Sequence, residues 1–296
     1  MKASDIERSA KPRFLAVGHV TRDQRPGGDV LGGTVAYAAI AAQRLGWETA
    51  ILTAAGADFD PARELPGITS FVAASRATTR FVNRYDDRGS RSQSVVERAA
   101  DIDLAVLPDA WRNPEVLLLG PVVGEVAGGM AAAFEADVVG AMAQGWLRAI
   151  DEAGAVSARE WTQAARDLAS VHALFLSESD LPGGAGAAAS LLSHVPIVAL
   201  TRGWRGLTLF TRDAVQDVAA LPREAVDATG AGDVLAAALL VRYHECQDVL
   251  EAAAFATCAA SCVVEAVGTA GIGDRAEILK RLEQREQLIE EGEWDE

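Results

Sequence analysis

The chain has 296 residues, half of them hydrophobic and 23% charged, which excludes global disorder and leaves ample material for a buried core. A formal net charge of −15 argues against a nucleic-acid partner, because phosphate backbones are held by clustered Lys and Arg. With 27 glycines, many alanines and only 6% aromatics, the composition suits helices packed closely on a sheet rather than an all-β barrel.

The polar N-terminus (MKASDIERSAKPR) contains no apolar stretch of signal length. Phe14 to Val20 is an apolar run that reads as a buried strand. The Gly-rich segments Pro26-Gly27-Gly28 and Gly32-Gly33 follow. A helix is expected over 34–45, closed by Gly46, and a second strand over 49–54. This order suggests an α/β sheet with right-handed crossovers.

Between about 70 and 98 the pattern changes. Thr79 to Tyr85 is β-branched and aromatic, Asp86-Asp87-Arg88-Gly89 is turn chemistry, and Ser90 to Glu97 alternates, so a small β insertion acting as a lid is expected there. Arg80 and Arg84 share one strand face and read as solvated charge or as contacts to a substrate. Strands are then expected at 116–122, 137–142, 171–177, 196–201 and 206–210. Helices are expected at 184–193, 230–243, 249–267 and 275–290, with an acidic tail after Gly292. The whole chain, 1–296, reads as one α/β domain carrying the insertion.

Three cysteines, Cys246, Cys258 and Cys262, form no disulfide framework in a chain of this length. Cys258 and Cys262 read as core thiols on a helix. A reduced, cytoplasmic protein without membrane attachment is expected. His19 has no His, Cys or carboxylate at zinc spacing and reads as a packed or substrate-side residue.

The segment that carries chemistry is Asp227-Ala228-Thr229-Gly230-Ala231-Gly232-Asp233, which opens an Ala- and Leu-rich helix. Gly230, Ala231 and Gly232 leave no bulky side chain over the first turn, so an anion can approach the free N–H groups and the positive end of the helix. Asp233 projects from that turn, where it can take a proton from a hydroxyl in line with a terminal phosphate. A capped helix N-terminus is the alternative for so short a string.

The seven residues resemble the C-terminal signature of the ribokinase/PfkB family of sugar kinases, differing only at the second position. Further resemblances run through the chain: Gly18 and Asp23 in the first loop, Gly32-Gly33 as the family's double glycine, Gly56-Ala57-Asp58, the insertion as its lid, and Thr201-Arg202-Gly203-Trp204-Arg205-Gly206 as its nucleotide turn. The resemblance implies a ribokinase-like fold, with a central, mostly parallel sheet, flanking helices and a small β lid. It implies ATP and Mg2+ as cofactors, with Asp233 as base and Gly230, Ala231 and Gly232 as anion hole. It places Asp23, Gly32, Gly33 and Tyr37 at the substrate, and Asp227, Thr229, Thr201, Gly203 and Gly206 at the nucleotide. A homodimer through the lid edge is a further implication.

Two places depart from the family pattern. Tyr37 stands where members often carry Asn, and either stacks on a ring or fills core. Ser177-Glu178-Ser179-Asp180 stands for the Asn-x-x-Glu motif, with Asp180 reaching magnesium through water. Arg148, in Gln144-Gly145-Trp146-Leu147-Arg148, either reaches donor phosphates or pairs with Asp151 or Glu152. Arg202, Trp204 and Arg205 either flank the nucleotide or are exposed loop residues. The expected activity is ATP-dependent phosphorylation of a small sugar, a cyclitol such as myo-inositol, or a similar polyol. A nucleoside kinase and a catalytically silent member that binds a nucleotide or metabolite are the alternatives. A dinucleotide oxidoreductase is disfavoured because Gly18 stands alone after the first strand.

Overall fold

Apolar runs of four to eight residues become strands here because both faces of a large sheet are covered. The computed structural model describes residues 11–25, 27–85 and 91–291, and at 83–85, 91 and 92 the backbone alone. Pro26, the expected turn 86–89, Ser90, the side chain of Arg84, the first ten residues and the tail from Gly292 lie outside the described residues.

In chain order the elements are β1 (Arg13–Val17), β2 (Thr21–Arg25), β3 (Gly28–Gly32), α1 (Thr34–Arg44), β4 (Glu48–Ala55), α2 (Pro61–Glu64), β5 (Thr69–Ala74), β6 (Thr79–Tyr85) and β7 (Arg91–Glu97). Then come β8 (Val116–Leu119), β9 (Val138–Met142), β10 (Arg148–Ile150), β11 (Val156–Ala158), α3 (Ala164–Asp167), β12 (Ala173–Ser177) and α4 (Gly184–Ser190). The chain ends with β13 (Ile197–Thr201), β14 (Leu207–Phe210), β15 (Val215–Val218), α5 (Ala231–Cys246), α6 (Val249–Val263) and α7 (Arg275–Glu290).

Nine strands form the large sheet in the order β15-β14-β13-β12-β9-β8-β1-β4-β5. All neighbours from β13 through β5 are parallel, and β14 and β15 close one edge antiparallel. Successive side chains serve opposite cores. Phe14, Ala16, Ile51, Leu118 and Phe175 pack under α1, α5 and α6, while Leu15, Val17, Leu52, Leu117 and Leu174 pack on the other face. The alanines of α1, α5 and α6 let these helices lie close to the sheet and to each other. No helix among the described residues is long and apolar enough to cross a membrane.

The small sheet is built differently from the expected insertion. Its order is β3-β2-β6-β7, so half of it comes from residues 21–32, which read in the sequence as a Gly-rich loop. β2 and β3 form an antiparallel hairpin, and β2 pairs in parallel with β6. Residues 70–74, expected in the lid, instead belong to β5, the edge of the large sheet beside β4. A further hairpin, β10–β11, is not legible as strands in the sequence. It docks on β7 through the Ser94–Ala155 bridge.

Helix α6 stops at Val263, short of the expected 267, because the Val264 carbonyl turns to accept the N–H groups of Val226 and Asp227. The expected helix 184–193 is α4 followed by a 3-10 turn over Leu191–Ser193.

The chain runs from β1 towards β4 and β5, then returns through β8 to β9 and β12 on the other side. The direction of winding therefore reverses between β1 and β8. Ligand crevices in open α/β sheets form outside the carboxyl ends of the strands at such a switch point.

Candidate active site

The first turn of α5 lies at this crevice. Gly230, its N-cap, has φ 81° and ψ −2°, a left-handed conformation that glycine adopts without strain. A Cβ there would lie 2.1 Å from Cδ1 of Tyr37, so the ring of Tyr37 supports the turn directly. Tyr37 is 2% exposed, and burial pushes its phenol well above the usual tyrosine range. Of its two sequence readings the structure favours core: Tyr37 is the floor beneath the glycines, not a ring open to a ligand.

Asp233 is one turn into α5, and its Oδ1 accepts a 2.8 Å hydrogen bond from Thr34 Oγ1, the first residue of α1. Burial raises its carboxyl to about 6, against the Thr34 hydrogen bond and the charge of Arg148, with Asp23 adding to the rise. Thr34 is set in place by Gly33 (φ 89°), where a Cβ would lie 2.3 Å from the His19 carbonyl. Thr34 gave no signal of its own in the sequence; the double glycine just before it was the available clue.

Asp227 anchors the loop before the helix. Burial alone would raise its carboxyl. Hydrogen bonds from the hydroxyl and N–H of Thr229, from Arg25 and from the N–H of Gly268 more than offset this and bring it to about 2. The Thr229 N–H to Asp227 Oδ1 distance is 3.0 Å, and Arg25 Nη1 to Asp227 Oδ2 is 2.9 Å.

On the small-sheet side, Asp23 sits on β2 and accepts from Thr21 Oγ1 at 3.1 Å. A Cβ on Gly32 would come within 2.8 Å of Asp23 Oδ2, so the glycine makes room for the carboxylate. Arg148, at the start of β10, donates to the Val122 carbonyl at 3.2 Å and lies over the Phe81 ring, 5.8 Å from its centroid. Glu125, which the sequence did not single out, is 1% exposed and accepts the N–H groups of His19, Val122 and Val123. It thereby ties the loop after β1 to the loop after β8. His19 is wholly buried between Thr79 Oγ1 and the Ala100 carbonyl, as a packed residue.

Arg80 pairs with Asp29 and Glu97 and lies 3.6 Å from Asp58. On the opposite flank, Thr201 Oγ1 donates to the Leu176 carbonyl. Gly203 and Gly206 form the turn before β14, and Gly206 (φ 89°) lies against Val218, where a Cβ would be 2.1 Å from its carbonyl oxygen. Arg202 pairs with Asp217, Arg205 with Glu178, and Trp204 is 86% exposed. Asp180 lies just beyond β12, near Gln144 Nε2 (3.3 Å). No group of three or more metal-ligating side chains occurs among the described residues.

The description of the pfkB family carbohydrate kinases matches residues 139–274, a span that includes Asp180, the turn 201–206 and the whole signature. Over these residues, just under half of its length, the chain is similar to the pfkB family carbohydrate kinases. Over 98 residues it is 38% identical to the bifunctional protein HldE of Shewanella sediminis, covering 32% of this chain and 20% of that protein. Over 87 residues it is 38% identical to a nucleoside kinase of Methanothermobacter thermautotrophicus, covering 29% and 28% of the two chains. The matched stretches thus span under a third of these curated relatives.

Among the solved structures that share the fold are the following two. One is a pyrophosphate-dependent kinase in the ribokinase family, complexed with a pyrophosphate analog and myo-inositol (TM-score 0.73, 19% identity, 90% of this chain and 99% of that one). The other is Arabidopsis thaliana ribokinase, complexed with ribose and ATP (TM-score 0.70, 22% identity, 92% and 99%). The fold of this chain is therefore ribokinase-like, with a mostly parallel nine-stranded sheet and a separate small one.

Proposed function

We propose that the chain is a kinase that transfers a phosphoryl group from ATP to a hydroxyl of a small sugar, a cyclitol such as myo-inositol, or a similar polyol. One observation carries this reading: a carboxylate raised to about 6 stands in the first turn of a helix whose entry is three small residues, at the switch point of the sheet. A proton acceptor and an anion cradle are thereby placed side by side, which is the minimum that phosphoryl transfer asks of a protein.

In the proposed reaction Asp233 takes the proton of the acceptor hydroxyl as its oxygen attacks the terminal phosphorus. The bond from that phosphorus to the bridging oxygen breaks, and ADP departs with the electron pair. The N–H groups of Gly230, Ala231 and Gly232 would face the charge that builds on the transferred group, that of Ala231 leaving the Ala228 carbonyl to which it donates at 3.3 Å. Arg148 adds positive charge beside Asp233, and its fork suits phosphate oxygens. Thr34 orients the base. Asp23, Gly32 and Gly33 line the acceptor side, while Asp227, Thr229, Thr201, Gly203 and Gly206 line the donor side.

Asp180 is a carboxylate three residues beyond β12, with the neighbouring Glu178 paired to Arg205. That suits Mg2+, which keeps most of its waters and takes its remaining ligands from phosphates. Magnesium held there through water would neutralise donor charge.

Pyrophosphate is the alternative donor, because a structural neighbour of known fold uses it. A nucleoside is the alternative acceptor, on the likeness to a nucleoside kinase. The test is phosphorylation of a panel of sugars, cyclitols and nucleosides with ATP or pyrophosphate and magnesium. Turnover of a panel member that Asp233→Asn abolishes supports the reading. Turnover that Asp233→Asn leaves intact removes Asp233 as base, and no turnover with either donor sinks the kinase reading.

A further inference from the structure

Arg25 lies outside every motif noted in the sequence, yet its guanidinium ends inside the signature. It is the last residue of β2, and its partners are 202 and 204 residues away. Nη1 donates to Asp227 Oδ2 at 2.9 Å and Nη2 to Thr229 Oγ1 at 3.2 Å. The same Asp227 oxygen accepts from the N–H of Gly268 at 3.2 Å, and the other from the N–H of Thr229. The carboxylate is thus the hub that shapes the chain immediately before Gly230, and Arg25 supplies its countercharge.

Two consequences follow from charge and geometry. Unneutralised, Asp227 would place a negative charge beside the helix N-terminus that receives an anion, and would repel it. Moreover, Arg25 and Asp23 are two apart on one strand and therefore point to the same face. A displacement of β2 moves both together, the one at the donor cradle and the other at the acceptor side.

We propose that Arg25 is a positioning residue that brings a fixed positive charge into the phosphate cradle, so that the cradle is fully formed only when the small sheet is seated over the large one. The anion it prepares the cradle for is the phosphate end of the donor, and in that respect the inference rests on the kinase reading.

Arg25→Ala and Arg25→Gln are compared with wild type and with Arg212→Ala, an exposed control. The readouts are amide hydrogen exchange at residues 228–232 and calorimetric binding of inorganic pyrophosphate and of ADP. Both Arg25 variants are expected to exchange faster at 228–232 and to bind the probes about tenfold more weakly, the effect of losing charge-assisted hydrogen bonds at one carboxylate. Millimolar guanidinium chloride, far below denaturing concentration, is expected to restore both readouts in Arg25→Ala, whereas sodium chloride at equal ionic strength is not. Asp227→Asn is expected to soften the effect of Arg25→Ala, because the charge to be countered is gone.

Exchange and binding within about twofold of wild type in the Arg25 variants would overturn the proposal, and so would restoration by sodium chloride equal to that by guanidinium. If the wild-type protein binds neither probe, the kinase reading fails. The exchange measurement then still decides whether Arg25 shapes the cradle.

Discussion

The Asp233 carboxyl titrates near 6 because the fold removes it from water with one hydroxyl donor and only a neighbouring guanidinium charge as compensation. In its proposed role as base Asp233 must be ionised to accept a proton, so kcat/KM should fall about tenfold per pH unit below roughly pH 6 and level off above it. A profile that stays flat down to pH 4.5 would remove Asp233 from this role. The same shift bears on stability. The folded protein holds this proton more tightly than the unfolded chain, so this group's contribution is most favourable below about pH 4, is lost as the pH rises to about 6, and stays lost above. Asp233→Asn should therefore abolish turnover, by about 10²–10⁴-fold, while raising the unfolding free energy at pH 7 by roughly 1–3 kcal/mol. Urea titration at pH 7 checks this, and an unchanged or lower midpoint would contradict it. Thr34→Val removes a donor that favours the ionised form. It should move the acid limb to higher pH and lower kcat/KM about tenfold, whereas an unmoved limb would show that the 2.8 Å contact does not orient the base.

At the scale of elements, the proposed anion cradle is a contact between two helices as much as a feature of one. Glycine at position 230 both allows the left-handed turn that opens α5 and leaves to the ring of Tyr37, from α1, the space where a Cβ would stand. Gly230→Ala should cost roughly 1–3 kcal/mol for the left-handed backbone alone, and more for the clash. In Tyr37→Ala the clash is relieved, so the double variant should be less destabilised than the sum of the two singles. Strict additivity in urea unfolding would show that ring and glycine do not bear on each other. The same contact accounts for an aromatic at the position usually occupied by Asn: here it is structural ground beneath Gly230.

Across the whole molecule, the small sheet is tied to the large one by arginines from β2. Arg22 is 8% exposed and is held by Glu64 at the end of α2 and by the carbonyl and carboxylate of Asp58. Arg25, three residues on, is held by the signature. Arg22→Ala leaves the half-buried Glu64 without its countercharge, and Asp58 with Arg80 alone. It should destabilise the protein by roughly 1–3 kcal/mol and speed amide exchange in β2 and β3 ahead of the large sheet. Exchange that accelerates uniformly would mean that the two sheets open as one unit and that Arg22 is not a specific tie.

The sequence by itself determined what depends on neighbours along the chain. Alternating and continuous apolar runs marked most strands of the large sheet, helix α7 was legible to the residue, and the string from Asp227 to Asp233 carried the fold family and the candidate base. A helix N-terminus with small residues is a local device, so local reading finds it. Tertiary structure alone decided what depends on pairing at a distance. Residues 21–32 are polar and Gly-rich, and they became strands only because β6 offers its backbone more than fifty residues later. Thr34, Arg25 and Glu125 meet the site from three separate parts of the chain, and no spacing in the sequence announces a contact that closes over a hundred or two hundred residues. Tyr37 was visible from the start as the odd residue at its position, but only its burial against Gly230 decided that it supports the site from below.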